Sequence, residues 1–354
     1  MRTALAAALW LAITIPGSAQ TPAIPKTIPE MWGAWCARCH GQDGTGKVSE
    51  PTVTVEPLDF SDCRIASAEP DADWEVAITH GGSAVGLSSQ MPAFGDVLTA
   101  DQVQGFVRHL RGFCSERNWP SGNFNLPRPI FTEKAFPENE FILLPVAAHE
   151  KNRPSAYTVR AIYERRIGRR AQIEAVLPME RVYVATLDDP EVGVGDVELG
   201  LKYALTPRSD RYLLSAGFDF VFPTGAEARL VGGFPAVYEP YLAIGTVVGG
   251  TYLQGQFKVE IPSTDSFRTR ETIYNAYVGR DTSVFPNTWT VGLELNGENR
   301  ELWLTPQIRK GLTRTGALGG AFGVRVPLTD RNEHSIAFVG YLLWEYLEPV
   351  FSRR

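Results

Sequence analysis

From Glu140 onward the chain alternates apolar and polar residues through segments of ten to thirteen residues, with turn residues between them. In "DVELGLKYAL", Val197, Leu199, Leu201, Tyr203 and Leu205 fall on one face, and Asp196, Glu198 and Lys202 on the other. "YLLSAGFDFVF" sets Tyr212, Leu214, Ala216, Phe218, Phe220 and Phe222 against Ser215, Gly217 and Asp219. "RAQIEAVLPM", "LQGQFKVEI", "TWTVGLELNG", "GALGGAFGVRV" and "SIAFVGYLLWEY" follow the same rule. A period of two belongs to β-strands, whose successive side chains point to opposite faces.

Two architectures alternate in this way. A soluble sandwich turns its apolar face to a dry core, whereas a membrane barrel turns it to lipid. The segments are long for globular strands and match the length of a tilted membrane strand. Aromatic residues gather near strand ends (Tyr203, Phe222, Trp289, Trp344, Tyr346), as interfacial girdles do. The polar face carries Asp219 and Lys258, which a dry sandwich core would bury at high cost. The pattern therefore predicts an antiparallel transmembrane β-barrel over residues 140–354. Eleven segments run from Tyr157 to Tyr346, and "EFILLPVAA" adds one. Single-chain barrels favour even numbers, so twelve strands are expected, with ten and fourteen as alternatives.

The amino terminus is of another kind. "MRTALAAALWLAITIPGSAQ" has one Arg, an apolar run from Ala4 to Ile15 and small residues up to Ala19. It reads as an export signal over residues 1–19, too short for a membrane span, with a retained amino-terminal anchor as the alternative. Beyond it stands "WCARCHGQDGTG". Cys36-x-x-Cys39-His40 is the attachment spacing of c-type haem: two thiols bond the macrocycle and the histidine takes an axial position on iron. With only 4 cysteines and 5 histidines in 354 residues, chance rarely produces it. A zinc site needs a second ligand pair, and a redox dithiol belongs after a strand in a βαβ unit; neither pattern is present.

A first helix is expected from Pro29 to Cys39, then a glycine-rich loop, "GQDGTGK". "DADWEVAITHGG" reads as a short helix stopped by Gly81 and Gly82. "TADQVQGFVRHLRGFC" is amphipathic: Thr99 and Gln102 form a capping box, and Val103, Phe106, Val107, Leu110 and Phe113 form a stripe. A low-spin haem needs a second axial ligand, and a thioether raises its potential. Met91 in "SSQMPAFGDVL" is the candidate, since Met1 leaves with the signal, Met31 lies on the haem helix and Met179 in the second domain. His80 is the rival ligand, and His109 is expected on the surface.

Residues 29–114 resemble a class I cytochrome c: a haem motif near the start, "MPAF" about fifty residues later, and a closing amphipathic helix. The resemblance implies a compact all-α fold around one covalently attached haem c, held by Cys36, Cys39, His40 and Met91, with electron transfer as its activity. Cys63 and Cys114 depart from that pattern. In an oxidising compartment two such leftover cysteines most simply pair.

Residues 20–120 carry 7 Lys/Arg against 13 Asp/Glu, and residues 121–354 carry 26 against 27. An acidic first domain argues against nucleic acid. It suits basic electron-transfer partners, or is merely a solvated surface. The organisation expected is a cytochrome domain over 24–119, a Pro/Asn-rich semi-rigid linker over 120–139 and the barrel. "GVGDVELGLKYAL" and "FDFVFPTG" also resemble outer-membrane barrels assigned to a phenol-degradation pathway. The second domain offers only His149 and His334 as histidines and no G-x-S-x-G pattern, so no catalytic constellation stands beside the haem. The leading expectation is a single-haem electron carrier, not an enzyme, held in outer-membrane lipid and exchanging electrons with periplasmic redox proteins. A haem-gated porin and a cytochrome–porin conduit are the alternatives. A hundred-residue domain, with a radius of gyration near ~13 Å, does not enter a twelve-stranded lumen, so the haem belongs outside the mouth.

Overall fold

The computed structural model describes residues 26–47, 50–116, 118–148, 155–183, 191–225, 235–264, 269–282, 289–313, 317–329 and 336–346. The expected export signal, His149 and His334 lie outside them. The helical domain begins with α1 (Ile28–Met31), where Thr27 and Glu30 close a capping box around Pro29. A π-helical turn, Trp32–Cys36, joins it to α2 (Ala37–His40). This widened turn, of a kind often found at functional sites, interrupts the single helix expected from Pro29 to Cys39. Then come α3 (Cys63–Ala66), α4 (Asp71–His80) and α5 (Ala100–Phe113). Thr99 and Gln102 cap α5 as expected, and Val103, Phe106, Val107 and Leu110 are its buried stripe. They pack against Trp32, Phe60, Trp74 and Ile78. Cys63 and Cys114 form a disulfide, with Cα atoms 5.1 Å apart, tying α3 to the end of α5. Among the described residues no helix is long and apolar enough to cross a membrane.

The second domain is a closed antiparallel β-barrel. Its strands are β1 (Glu140–Ala148), β2 (Ser155–Ile167), β3 (Ala171–Tyr183), β4 (Glu191–Val194), β5 (Val197–Ala204), β6 (Leu213–Phe222) and β7 (Val237–Val248), followed by β8 (Thr251–Pro262), β9 (Glu271–Thr282), β10 (Trp289–Glu298), β11 (Glu301–Gly311), β12 (Leu318–Pro327) and β13 (Ala337–Glu345). Neighbours in sequence pair throughout, and β1 closes the ring on β13. β4 and β5 are two halves of one strand, because both pair with β3: Met179 faces Val194, and Val176 faces Glu198. One extra residue between those pairs makes a bulge opposite Pro178, which has no amide for the ladder and instead accepts from Gly195 N at 2.9 Å. The thirteen segments are thus twelve staves. Leu199, Leu201, Phe218, Phe257, Leu293 and Leu342 face outward and are exposed, forming an apolar outer band; Glu164, Lys202, Asp219 and Glu294 face inward and are buried.

What buries them corrects the expected linker. The segment after α5 does not run through solvent but folds into the barrel as a plug. Phe136 is 1% exposed and sits among Ala204, Leu213, Tyr241 and Ala243. Ile130 packs with Ile142, Ile162, Val176 and Leu343. The amides of Phe131 and Thr132 donate to Glu294 at the middle of β10 (3.1 Å each), so the plug reaches mid-depth before the chain returns to Glu140. Lys202 Nζ donates to Glu133 at 2.7 Å, Ser215 Oγ to the Ala135 carbonyl, Gln254 to the Pro127 carbonyl, and Tyr341 Oη to the Arg128 carbonyl. Ser215 therefore does not line free water. The plug thus enters the lumen from the side of the helical domain and touches the wall as far as Glu294.

Candidate functional site

Cys36, Cys39 and His40 occupy one helical turn, which ends where Gly41 turns the chain at φ 76°. The two thiols are not bonded to each other. Burial, and then the neighbouring Cys39, pushes the Cys36 thiol up to about 12, so it stays protonated. A redox dithiol needs the opposite shift. The His40 ring packs, tilted, with its centroid 5.1 Å from that of Phe60 and 5.9 Å from that of Trp32. Burial brings its pKa down to about 4, which keeps the imidazole neutral, the form that ligates a metal.

Met91 reaches the same apolar cluster as Cys36, from the far side of the domain in sequence. Its loop is held from two directions. Gly82 N donates to the Met91 carbonyl at 3.1 Å, and Phe94 N to Ile78 at 3.0 Å. Gln90 donates to the Thr52 carbonyl at 2.9 Å and accepts from Thr54 N at 3.0 Å. A side chain at Gly82 would collide with the Ser88 carbonyl and crowd Met91 Cβ at 3.2 Å. His80 ends α4 and is exposed. His109 is not a surface residue as expected: it is half-buried, 5.5 Å from Trp32 and 5.0 Å from Phe113.

Three ring nitrogens in this cluster, Trp32 Nε1, His40 Nδ1 and His109 Nε2, are buried without a hydrogen-bond partner among the described residues. Orphaned polar atoms in an aromatic cluster are costly unless a further group meets them. With two thiols, an imidazole and a thioether around it, the cluster has the donor set that haem c uses.

Residues 23–110 match the family model described as cytochrome C oxidase, cbb3-type, subunit III. The helical domain is of the cytochrome c family. Among curated proteins, none matches this chain. Solved structures similar to it include the KdgM porin, at 9% identity and a TM-score of 0.42 over 58% of this chain and 99% of that one. An outer membrane channel from Pseudomonas putida is similar at 15% identity and a TM-score of 0.43, over 62% of this chain and 100% of the other. The NanC porin is similar at 10% identity and a TM-score of 0.39, over 58% of this chain and 100% of its own. The barrel rests on its ring of strand pairings, not on these likenesses.

The cytochrome domain docks on the barrel end where β1 begins and β13 finishes. Glu116 pairs with Arg169 at 3.1 Å, in the turn between β2 and β3, and Arg208 donates to Asn118 at 3.0 Å, between β5 and β6. Asn123 and Asn125, at the head of the plug, bond Asp71 and the Ala68 carbonyl. Arg166 of β2 lies over Trp119 at 4.7 Å and over Phe136 at 5.2 Å. Sequence reasoning missed the plug residues Arg128, Lys134 and Phe136. The signal was available: Glu140, Glu164 and Glu174 face inward in segments whose own inward faces lack enough bases, so counter-charge had to come from elsewhere.

Proposed function

We propose that this chain is a single-haem c-type electron carrier fastened to the outer membrane by its own plugged barrel, with the cytochrome domain on the periplasmic side. The observation that carries this reading is the plug. A lumen filled from the cytochrome end to mid-depth serves as an anchor, not as a solute pore, and leaves the haem domain as the active part. Bound there, a haem iron supplies one-electron transfer. Cys36 and Cys39 would hold the macrocycle through their sulfurs, and neutral His40 would offer its nitrogen to the iron. The loop fixed by Gly82, Phe94 and Gln90 presents the Met91 sulfur. Trp32, Phe60 and Phe113 exclude water, which with a soft sulfur ligand favours ferrous iron. On this reading the domain carries electrons to and from periplasmic redox proteins.

The test uses holoprotein in sealed liposomes containing a small sugar. Reduced haem should be oxidised rapidly by an added soluble acceptor while the sugar stays inside. Sugar efflux at porin-like rates would instead assign the transport reading.

A further inference from the structure

The strands around the plug carry a belt of carboxylates. Glu345 on β13 is the cross-strand partner of Glu140, Glu140 of Glu164, and Glu164 of Glu174. Glu174 then faces Gly200, Gly200 faces Asp219, and Asp219 faces Glu239. Residues directly opposite in an antiparallel pair stand roughly 4.5–5.5 Å apart, and like charges there repel.

Both flanks of the belt are neutralised. Arg128 and Lys134 of the plug each meet Glu140 at 3.2 Å. Lys258 meets Asp219 at 2.9 Å and Glu239 at 2.6 Å. The stretch between is neutralised only in part, although Arg128 also stands 3.8 Å from Glu133. Arg128 takes Glu164 Oε1 at 2.8 Å, and Lys202 takes Glu133 Oε1 at 2.7 Å. Glu164 is wholly buried, yet its Oε2 has no hydrogen-bond partner. Glu174 has no ion pair or hydrogen bond among the described residues. One oxygen from each of Glu133, Glu164 and Glu174 lies within 4.8 Å of the others. Gly200 keeps the neighbouring wall clear, for a Cβ there would stand 3.3 Å from Glu174 Cβ and 2.5 Å from Asp219 Oδ1.

We propose that Glu133, Glu164 and Glu174 form a site for a hard divalent cation of the calcium class, tying the plug to the wall. The donors are all carboxylate oxygens, which suit hard cations, and calcium tolerates irregular geometry completed by water. Three carboxylates face Lys202 and an Arg128 shared with Glu140, and a divalent ion neutralises what remains. The neighbouring group Glu198, Asp219 and Glu239 brings its oxygens together just as closely. There Lys258 already does the cation's work, so that group needs no ion and serves as a control.

The experiment is equilibrium dialysis of radioactive calcium against the purified, full-length holoprotein in detergent, stripped beforehand with chelator. One bound calcium per chain is expected. It should be lost in Glu174→Gln and in Glu133→Gln and kept in Glu239→Gln. A gel-mobility shift on heating verifies that each variant is folded. If Glu174→Gln does not fold, Glu133→Gln on the plug decides alone. A wild type that binds no calcium, or variants that bind as the wild type does, would overturn the proposal and leave the cluster sharing protons.

Discussion

Arg128→Ala removes the plug's main electrostatic tie. The guanidinium is 8% exposed and meets Glu164 at 2.8 Å and Glu140 at 3.2 Å, both wholly buried. These two are direct cross-strand partners, so without the arginine Glu164 is left without its cation beside the carboxylate of Glu140. Removing one member of a buried ion pair costs about 3–5 kcal/mol, because the charge left behind keeps its desolvation penalty. Lys134 still meets Glu140 at 3.2 Å and offsets part of this, so the lower end of that range is expected. At 1.4 kcal/mol per factor of ten, about 3 kcal/mol raises the population of the undocked plug roughly 100-fold. A cysteine at Ala135, 3% exposed beneath the β-wall, reports that population through its reaction with a soluble thiol reagent. In the Arg128→Ala background its labelling rate should rise about 100-fold, and Glu164→Gln added to it should return much of the loss. A rate unchanged within a factor of about three, well under 1 kcal/mol, would refute the idea that this ion pair holds the plug.

Met91→Ala in the holoprotein should lower the reduction potential and abolish the long-wavelength sulfur–iron band, while His80→Ala leaves both in place; the opposite pattern would move the ligand to His80. Reducing the Cys63–Cys114 bridge, which spans 51 residues, should destabilise the cytochrome domain by about 4 kcal/mol on the chain-entropy model, read from denaturant midpoints with and without reductant. Glu69 has its pKa pushed up to about 7 by burial and then by Asp73 and Glu345, against Arg111 and Lys134. Its folded value lies above the unfolded one, so the stability it lends is complete below about pH 4.5 and lost as pH rises through about 7. Glu69→Gln should therefore flatten the fall in stability between pH 5 and 8, and an unaltered slope would contradict the assignment. Phe218→Arg, on the outer face near mid-strand, should cost about 2–4 kcal/mol in lipid; Ser215→Asp should also fail, because Ser215 Oγ donates to the Ala135 carbonyl beneath it.

The two architectures were legible in the sequence because each rests on a local period. The strict alternation around Phe218 and Asp219 can satisfy only a strand with one wet and one apolar face, and the Thr99–Gln102 box with its Val103–Leu110 stripe can satisfy only a helix. The cytochrome c domain was legible because the spacing Cys36-x-x-Cys39-His40 is compressed into five consecutive residues. Met91 is singled out as the proposed second ligand only by elimination, since the chain has 4 methionines. The unbalanced inward carboxylates signalled a missing counter-charge, but which segment supplies it was not legible, because nothing in "LPRPIFTEKAFPEN" is periodic: its fold is dictated by partners such as Glu294 and Ser215, roughly 80 to 160 residues away. Proline density suggested a semi-rigid interdomain linker, but a segment without regular structure can enter a barrel when wall side chains satisfy its backbone, as Glu294, Gln172 and Ser215 do here. His109 was misplaced for a related reason. The α5 stripe was drawn from apolar residues only, whereas a neutral histidine packs on Trp32 as readily as a hydrophobe.

The central claim, a covalent one-haem carrier built into a membrane barrel, is tested most directly by a haem-stained denaturing gel of outer-membrane fractions from cells with a c-haem maturation system. One band of the full-length mass should stain in that fraction after boiling, and it should migrate differently when unboiled. Haem that extracts into acidic acetone, or a stained band confined to the soluble periplasmic fraction, would contradict the account.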